Sequence, residues 1–202
     1  MDQRAIAKAR SRLRIAEKAL ADLAVCNNYE KFTDTWYVFL TAWKNVLTSL
    51  EQGSKDSAQS RQWYGAKKTE RREDPLLQYL FQSRDDDEHG LEPITRRVPG
   101  QLALGVNKPG FSTKVRFNSL AIKSGRITSG SVESLDGKPV LVEQRLPYAA
   151  LSTVRGRGGV LYQPPISHLG EPLDDPTPYA AGSLGLLWLK NLVEEAEGCA
   201  RE

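Results

Sequence analysis

Between residues 32 and 50, Phe32, Trp36, Phe39, Leu40, Trp43, Val46, Leu47 and Leu50 recur at steps of three and four. On a helix that spacing puts them all on one wide apolar stripe, which only other elements can cover. The flanking sequence offers those elements. From Asp2 to Val25 the apolar positions are Ile6, Ala9, Leu13, Ala16, Leu20 and Leu23, again at helical steps, with Asp2 placed as N-cap. Asn27-Asn28 breaks that run, and Gly53 offers a stop to the second one. Arg61 to Glu73 reads as a charged, weaker helix carrying Trp63. Asp74-Pro75 opens a fourth, with Asp as cap and Pro at the first helical position. Short connections imply antiparallel neighbours, hence a small bundle.

After Gly90 the pattern changes. Pro93, Pro99, Gly100, Gly105, Pro109 and Gly110 predict a linker or irregular layer. Strands are expected over Lys114 to Ile122, Arg126 to Ser134 and Pro139 to Leu146. Their connections, Lys123-Ser124-Gly125 and Leu135-Asp136-Gly137-Lys138, are hairpin-like, so the three read as an antiparallel meander. Residues 147–176 are loop-rich, with a short strand at Val160 to Gln163. A last helix begins near Thr177-Pro178 and carries Leu184, Leu187, Trp188, Leu192 and Ala196 on an apolar face that must bury on the bundle or on the sheet. The expected class is α+β: an N-terminal antiparallel helical bundle over residues 1–92, then a β-meander and loop-rich extension with a final helix over residues 93–202.

Composition narrows the function classes. At 202 residues the chain buries a core without metal or disulfide staples, and 40% hydrophobic with 26% charged residues is the balance of a soluble globular protein. No apolar run approaches a membrane span, and the N-terminus has charges without an apolar signal core, so the expected location is the cytoplasm. Cys26 and Cys199 are isolated and read as ordinary reduced thiols. Net charge is +3; residues 1–99 carry 17 Lys+Arg against 15 Asp+Glu, and residues 100–202 carry 11 against 10. Neither half is the basic block that tight nonspecific nucleic-acid binding needs, so any RNA contact must come from local clusters.

The segment Arg84-Asp85-Asp86-Asp87-Glu88-His89-Gly90 follows the apolar run Leu76-Leu77-Gln78-Tyr79-Leu80-Phe81. Arginine holds a phosphate or carboxylate in a planar fork, and histidine moves a proton near neutral pH. Arg84 falls on the apolar face, seven residues after Leu77 and four after Leu80, where a charge needs a partner. Three solutions present themselves: an intrahelical pair with Asp87 or Glu88, an acid from a neighbouring helix, or a substrate phosphate. His89 lies about 140° around the axis from Arg84. Gly90 ends the helix there, where the dipole favours a histidine cation. Taken alone, Asp85, Asp86, Asp87 and Glu88 read as a solvated acidic face.

Arginine, polar residue and histidine (Arg84, Asp85 and His89) at the end of an apolar helix in an N-terminal all-helical region resemble the motif of the HEPN superfamily, over residues 1–92. Asp87-Glu88-His89-Gly90-Leu91-Glu92-Pro93 and Ser167-His168-Leu169-Gly170-Glu171-Pro172-Leu173 are also similar to segments of uncharacterised bacterial proteins of this general kind. The resemblance implies a metal-independent endoribonuclease without cofactor, acting as a homodimer whose two motifs face one another across one cleft. It implies that His89 assists proton transfer, that Arg84 stabilises charge on the transition state and that Asp85 orients one of them, leaving 2′,3′-cyclic phosphate ends. The acidic run Asp86-Asp87-Glu88 departs from the family, many of whose members have apolar residues there. The superfamily also includes noncatalytic members used for binding or assembly.

Other candidates are weaker. Lys67, Lys68, Arg71 and Arg72 stand beside Trp63 and Tyr64, a mixture suited to RNA backbone and base contact, although a solvated charged helix face is the better default. Arg155-Gly156-Arg157-Gly158-Gly159 lacks the lysine and serine or threonine of a P-loop and reads as a flexible loop or hairpin turn. His168 lies in a Pro/Gly-rich loop, where functional groups concentrate. Two histidines and scattered acids make no recognisable metal set. Two functions therefore stand at this level: the ribonuclease, with RNA as partner, and a noncatalytic bundle for assembly or binding of a protein partner that the sequence does not identify.

Overall fold

The computed structural model describes residues 1–106, 114–123, 126–137, 140–174 and 177–199. It is α+β, with five α-helices among the described residues: α1 (Gln3–Ala24), α2 (Tyr29–Gly53), α3 (Ala58–Glu73), α4 (Pro75–His89) and α5 (Pro178–Gly198). Each starts at a side-chain cap that the sequence supplies. Asp2 accepts from Arg4 N, Asn28 from Lys31 N, Ser57 from Ser60 N, Asp74 from Leu77 N and Thr177 from Ala180 N. These bonds satisfy amides that have no partner inside the helix.

Two compact units divide the chain: Met1–Arg96 with Ala150–Glu202, and Arg97–Ala149. The chain leaves the bundle after α4 and returns to it from Ala150 on, with Ser152 N bonded to Ile94 O at 3.0 Å.

The core of the first unit is the α2 stripe. Trp36, Phe39, Leu40, Trp43, Val46 and Leu50 are at most 1% exposed, with Leu76, Leu77, Tyr79 and Leu80 of α4 packed into the same cluster. Each such side chain contributes roughly 1.5–3 kcal/mol by leaving water. Of the two surfaces open to it, α5 buries its apolar face on the bundle. Trp188 packs at a tilt against Trp43 with ring centroids 6.3 Å apart, and the Trp43 indole N–H donates to Gly185 O at 3.0 Å. That approach requires glycine: a Cβ at position 185 would lie 2.3 Å from Leu80 Cδ1 and 3.4 Å from Trp43 Nε1. Leu187, expected on the buried face, is 58% exposed; Leu189 and Val193 are buried instead, because the helix turns its 185–189–192–196 row inward. Tyrosine hydroxyls fasten the remaining elements: Tyr64 donates to Leu47 O at 2.9 Å, and Tyr79 to Ser152 O at 2.6 Å.

The returning chain of this unit carries four short strands in two pairs: β7 (Val154–Arg155) with β8 (Leu161–Tyr162), and a hairpin of β9 (Ser167–His168) and β10 (Glu171–Pro172). Between β7 and β8, the glycine-rich stretch is a hairpin connection containing a short 3-10 turn, in line with the expected turn.

In the second unit, β2 (Gln101–Val106) pairs antiparallel with β5 (Val140–Arg145), and β3 (Val115–Lys123) pairs antiparallel with β4 (Arg126–Ser134). The three expected strands are present within a residue of their predicted ends. Their pairing is not a simple meander: β5 takes β2 as its ladder partner, Gln101 opposite Arg145 through Val106 opposite Val140. β2 lies where a linker was expected, as does β1 (Thr95–Val98), which pairs with β6 (Tyr148–Leu151). Leu102, Leu104 and Val106 alternate with Ala103 and Gly105, a period of two that the surrounding Pro and Gly residues obscure. Pro109 and Gly110, the Ser124-Gly125 connection and Lys138 lie outside the described residues.

Candidate functional site

The motif-bearing end of α4 is built as a chain of ion pairs. Arg84 points along its own helix and pairs with Glu88 one turn on, and its Nη1 also lies 3.4 Å from Asp85 Oδ1. Asp85 in turn pairs with Lys44 of α2, so charges alternate from Lys44 through Asp85 and Arg84 to Glu88. Of the three expected solutions for a charge on the apolar face, the intrahelical pair with Glu88 is the one the structure uses; what α2 supplies is a cation, Lys44, to Asp85.

The acidic run is not a solvated face. Asp85 and Asp86 are 7% and 8% exposed. Asp86 Oδ2 accepts the Arg155 backbone N–H at 2.7 Å, which fastens β7 to α4. Burial pushes the Asp87 carboxyl above the usual carboxylate range, with the charges of Asp86 and Glu88 acting in the same direction. His89 is exposed at the last position of the helix, and no contact joins it to Arg84 among the described residues. The chain then turns at Gly90, whose N–H bonds to Asp86 O at 2.6 Å. A Cβ there would sit 2.4 Å from Asp86 Oδ1, so this capping position excludes larger residues by contact while its φ is an ordinary −87°.

The basic cluster of α3 does not form a single solvated face. Lys67 pairs with Glu195 at 2.9 Å and Glu70 at 3.3 Å; burial acts to lower its pKa, but these two bonds outweigh it and raise the group. Lys68 pairs with Glu51 at 2.6 Å. Arg72 is exposed, as expected, whereas Arg71 is 6% exposed. The Arg71 guanidinium carbon stacks 3.8 Å from the Phe81 ring centroid, and Nη1 donates to Gln78 Oε1 at 3.0 Å. Lys44 Nζ lies 4.2 Å from the same ring. Burial depresses the Arg71 pKa.

His168 is held far from the helix end that carries His89. Its Nδ1 lies 3.1 and 3.2 Å from the two oxygens of Asp74, the buried N-cap of α4. Asp74 also accepts Leu77 N at 2.8 Å and Leu169 N at 2.6 Å. An ionised carboxylate only accepts, so Nδ1 is the donor, and in the neutral ring the lone pair sits on Nε2. Leu169 has φ +50° and Gly170 φ +87°, so both central residues of the β9–β10 turn have positive φ, as primed hairpin turns require. For a branched residue such as Leu169 that conformation carries strain. Sequence reasoning identified Asp74 as a cap and His168 as a loop residue, but no local pattern could join them across 94 positions.

Among the described residues, no group of three or more His, Cys, Asp or Glu side chains is arranged to hold a metal ion, and no helix is long and apolar enough to cross a membrane. Cys26 and Cys199 are unpaired with each other. Comparison with family models, curated proteins and solved structures finds no match to this chain.

Proposed function

We propose that the protein is a noncatalytic helical-bundle module, HEPN-like in plan, that serves assembly or partner binding. The observation that carries this reading is the use of the motif arginine: Arg84 is held by Glu88 and Asp85, and Asp85 is itself held by Lys44. A guanidinium neutralised on its own helix is poorly placed to stabilise a developing phosphorane charge, which needs donors preorganised toward the substrate. Near-neutral net charge and the buried acids beside the motif support the same reading.

One observation favours the competing reading, a metal-independent endoribonuclease working through Arg84, Asp85 and His89 of two protomers. His89 is exposed and without a partner among the described residues, free to meet a second copy or a substrate. Cleavage of a mixed-sequence RNA in EDTA decides between the two readings. The binding module predicts no cleavage by wild type beyond that of Arg84→Ala and His89→Ala. Cleavage that leaves cyclic phosphate ends and is lost in both variants replaces it with the ribonuclease.

A further inference from the structure

Arg71 is the most deeply buried Lys or Arg side chain among the described residues, and it meets no carboxylate at ion-pair distance. Charges around it are otherwise matched: Lys44 and Arg84 against Asp85 and Glu88, and Lys68 against Glu51. Arg71 therefore has no ion pair of its own: Glu51 and Asp85 act on it only from a distance and are each engaged by a lysine, in a place where burial already works against the protonated form of Arg71. Taking a charge out of water without a partner is costly, and such groups normally end up paired.

Its hydrogen bonding is also incomplete. A guanidinium has five N–H donors, and the contact within the protein is a single bond to the neutral Gln78 amide. Phe81 covers one face of the guanidinium plane, and Nε and Nη2 have no hydrogen-bond partner among the described residues. No Arg71 nitrogen is both sealed from solvent and unbonded, so the unused donors keep contact with solvent. Gln78 passes the contact on: its Nε2 donates to the Tyr162 hydroxyl at 3.4 Å, leaving that hydroxyl's own proton to donate elsewhere. Tyr162 lies against Gly156 at the start of the glycine turn, where a Cβ would come within 2.7 Å of the ring.

We propose that Arg71, stacked on Phe81 and joined through Gln78 to the Tyr162 hydroxyl, forms a binding site for one small oxyanion, a phosphate or carboxylate group. A planar guanidinium with a free edge takes either group through two parallel charge-assisted bonds. The site uses neither Arg84 nor His89, so it stands whichever reading of the motif holds.

The test is calorimetric titration and thermal unfolding of the full chain at constant ionic strength, with chloride exchanged for inorganic phosphate or for acetate. A saturable response to at least one anion is expected in wild type and in Arg72→Gln, the exposed neighbour. Binding weakens at least ~10-fold in Arg71→Gln, which loses the charged fork, and roughly threefold in Tyr162→Phe, which loses one neutral donor. A response to phosphate alone assigns a phosphorylated ligand; a response to acetate as well assigns a carboxylate. No saturable response in wild type, or equal affinity in wild type and Arg71→Gln, overturns the site. Should Arg71→Gln fail to fold, wild-type affinity in Tyr162→Phe overturns it.

Discussion

Asp74 joins the start of α4 to the β9–β10 hairpin, so Asp74→Ala tests two links at once. Its carboxylate caps Leu77 N at 2.8 Å, a role whose loss costs about 1 kcal/mol. It also accepts Leu169 N at 2.6 Å, and leaving that amide unpaired costs roughly 1–3 kcal/mol. Loss of the His168 contact adds about 1 kcal/mol, since the imidazole is nearly buried. The sum is about 3–5 kcal/mol, a large share of a typical domain stability. For a unit of this size that corresponds to a fall in Tm of roughly 10 °C. Asp74→Ser keeps a capping oxygen but cannot reach the hairpin, so it recovers only about 1 kcal/mol of the loss. Urea unfolding followed by tryptophan fluorescence reads this unit alone, because Trp36, Trp43, Trp63 and Trp188 all lie in it. A loss of only ~1 kcal/mol in Asp74→Ala, fully restored by serine, would show that the hairpin contact adds nothing and refute the reasoning.

Three further outcomes are expected. Gly185→Ala forces a methyl against Leu80 and lowers stability by about 1–3 kcal/mol in the same unfolding assay, with perturbed Trp43 emission. Asp87→Asn raises stability at neutral pH by up to about 1 kcal/mol. The sign follows from its raised folded-state pKa: holding Asp87 protonated favours the fold at low pH, and that advantage disappears as pH rises through the folded pKa, so the gain of the Asn variant over wild type shrinks as pH falls towards 3.8. Replacing residues 97–149 by a Gly/Ser link of about five residues leaves the urea midpoint of the bundle unchanged within ~0.5 kcal/mol, because Ile94 and Ser152 are already hydrogen-bonded neighbours; a collapsed, ANS-binding product contradicts this.

The helices were legible because their information is local. The α2 stripe, the Asp74-Pro75 start and the Thr177-Pro178 start are each written within a few residues of the element they define. The acidic run was misread as solvated because its partners are distant. Lys44 lies 41 residues from Asp85, and Asp86 meets a backbone N–H 69 residues away that carries no side-chain signature. Arg71 was placed among surface cations for the same reason: the neighbour that draws it inward, Phe81, belongs to the next helix. β2 escaped notice because ladder partners such as Gly105 and Leu141 are set by pairing rather than by composition.

The bond between Trp43 and Gly185 spans 142 positions. At synthesis rates of about 5–20 residues per second, the α2 indole waits on the order of ten seconds for the carbonyl that satisfies it. During that interval the ribosome has released α1 to α4, yet the apolar surface that α5 will cover remains open. The length of the inserted unit at 97–149 therefore adds to that delay. Shortening it would narrow the window in which the nascent bundle needs protection from aggregation.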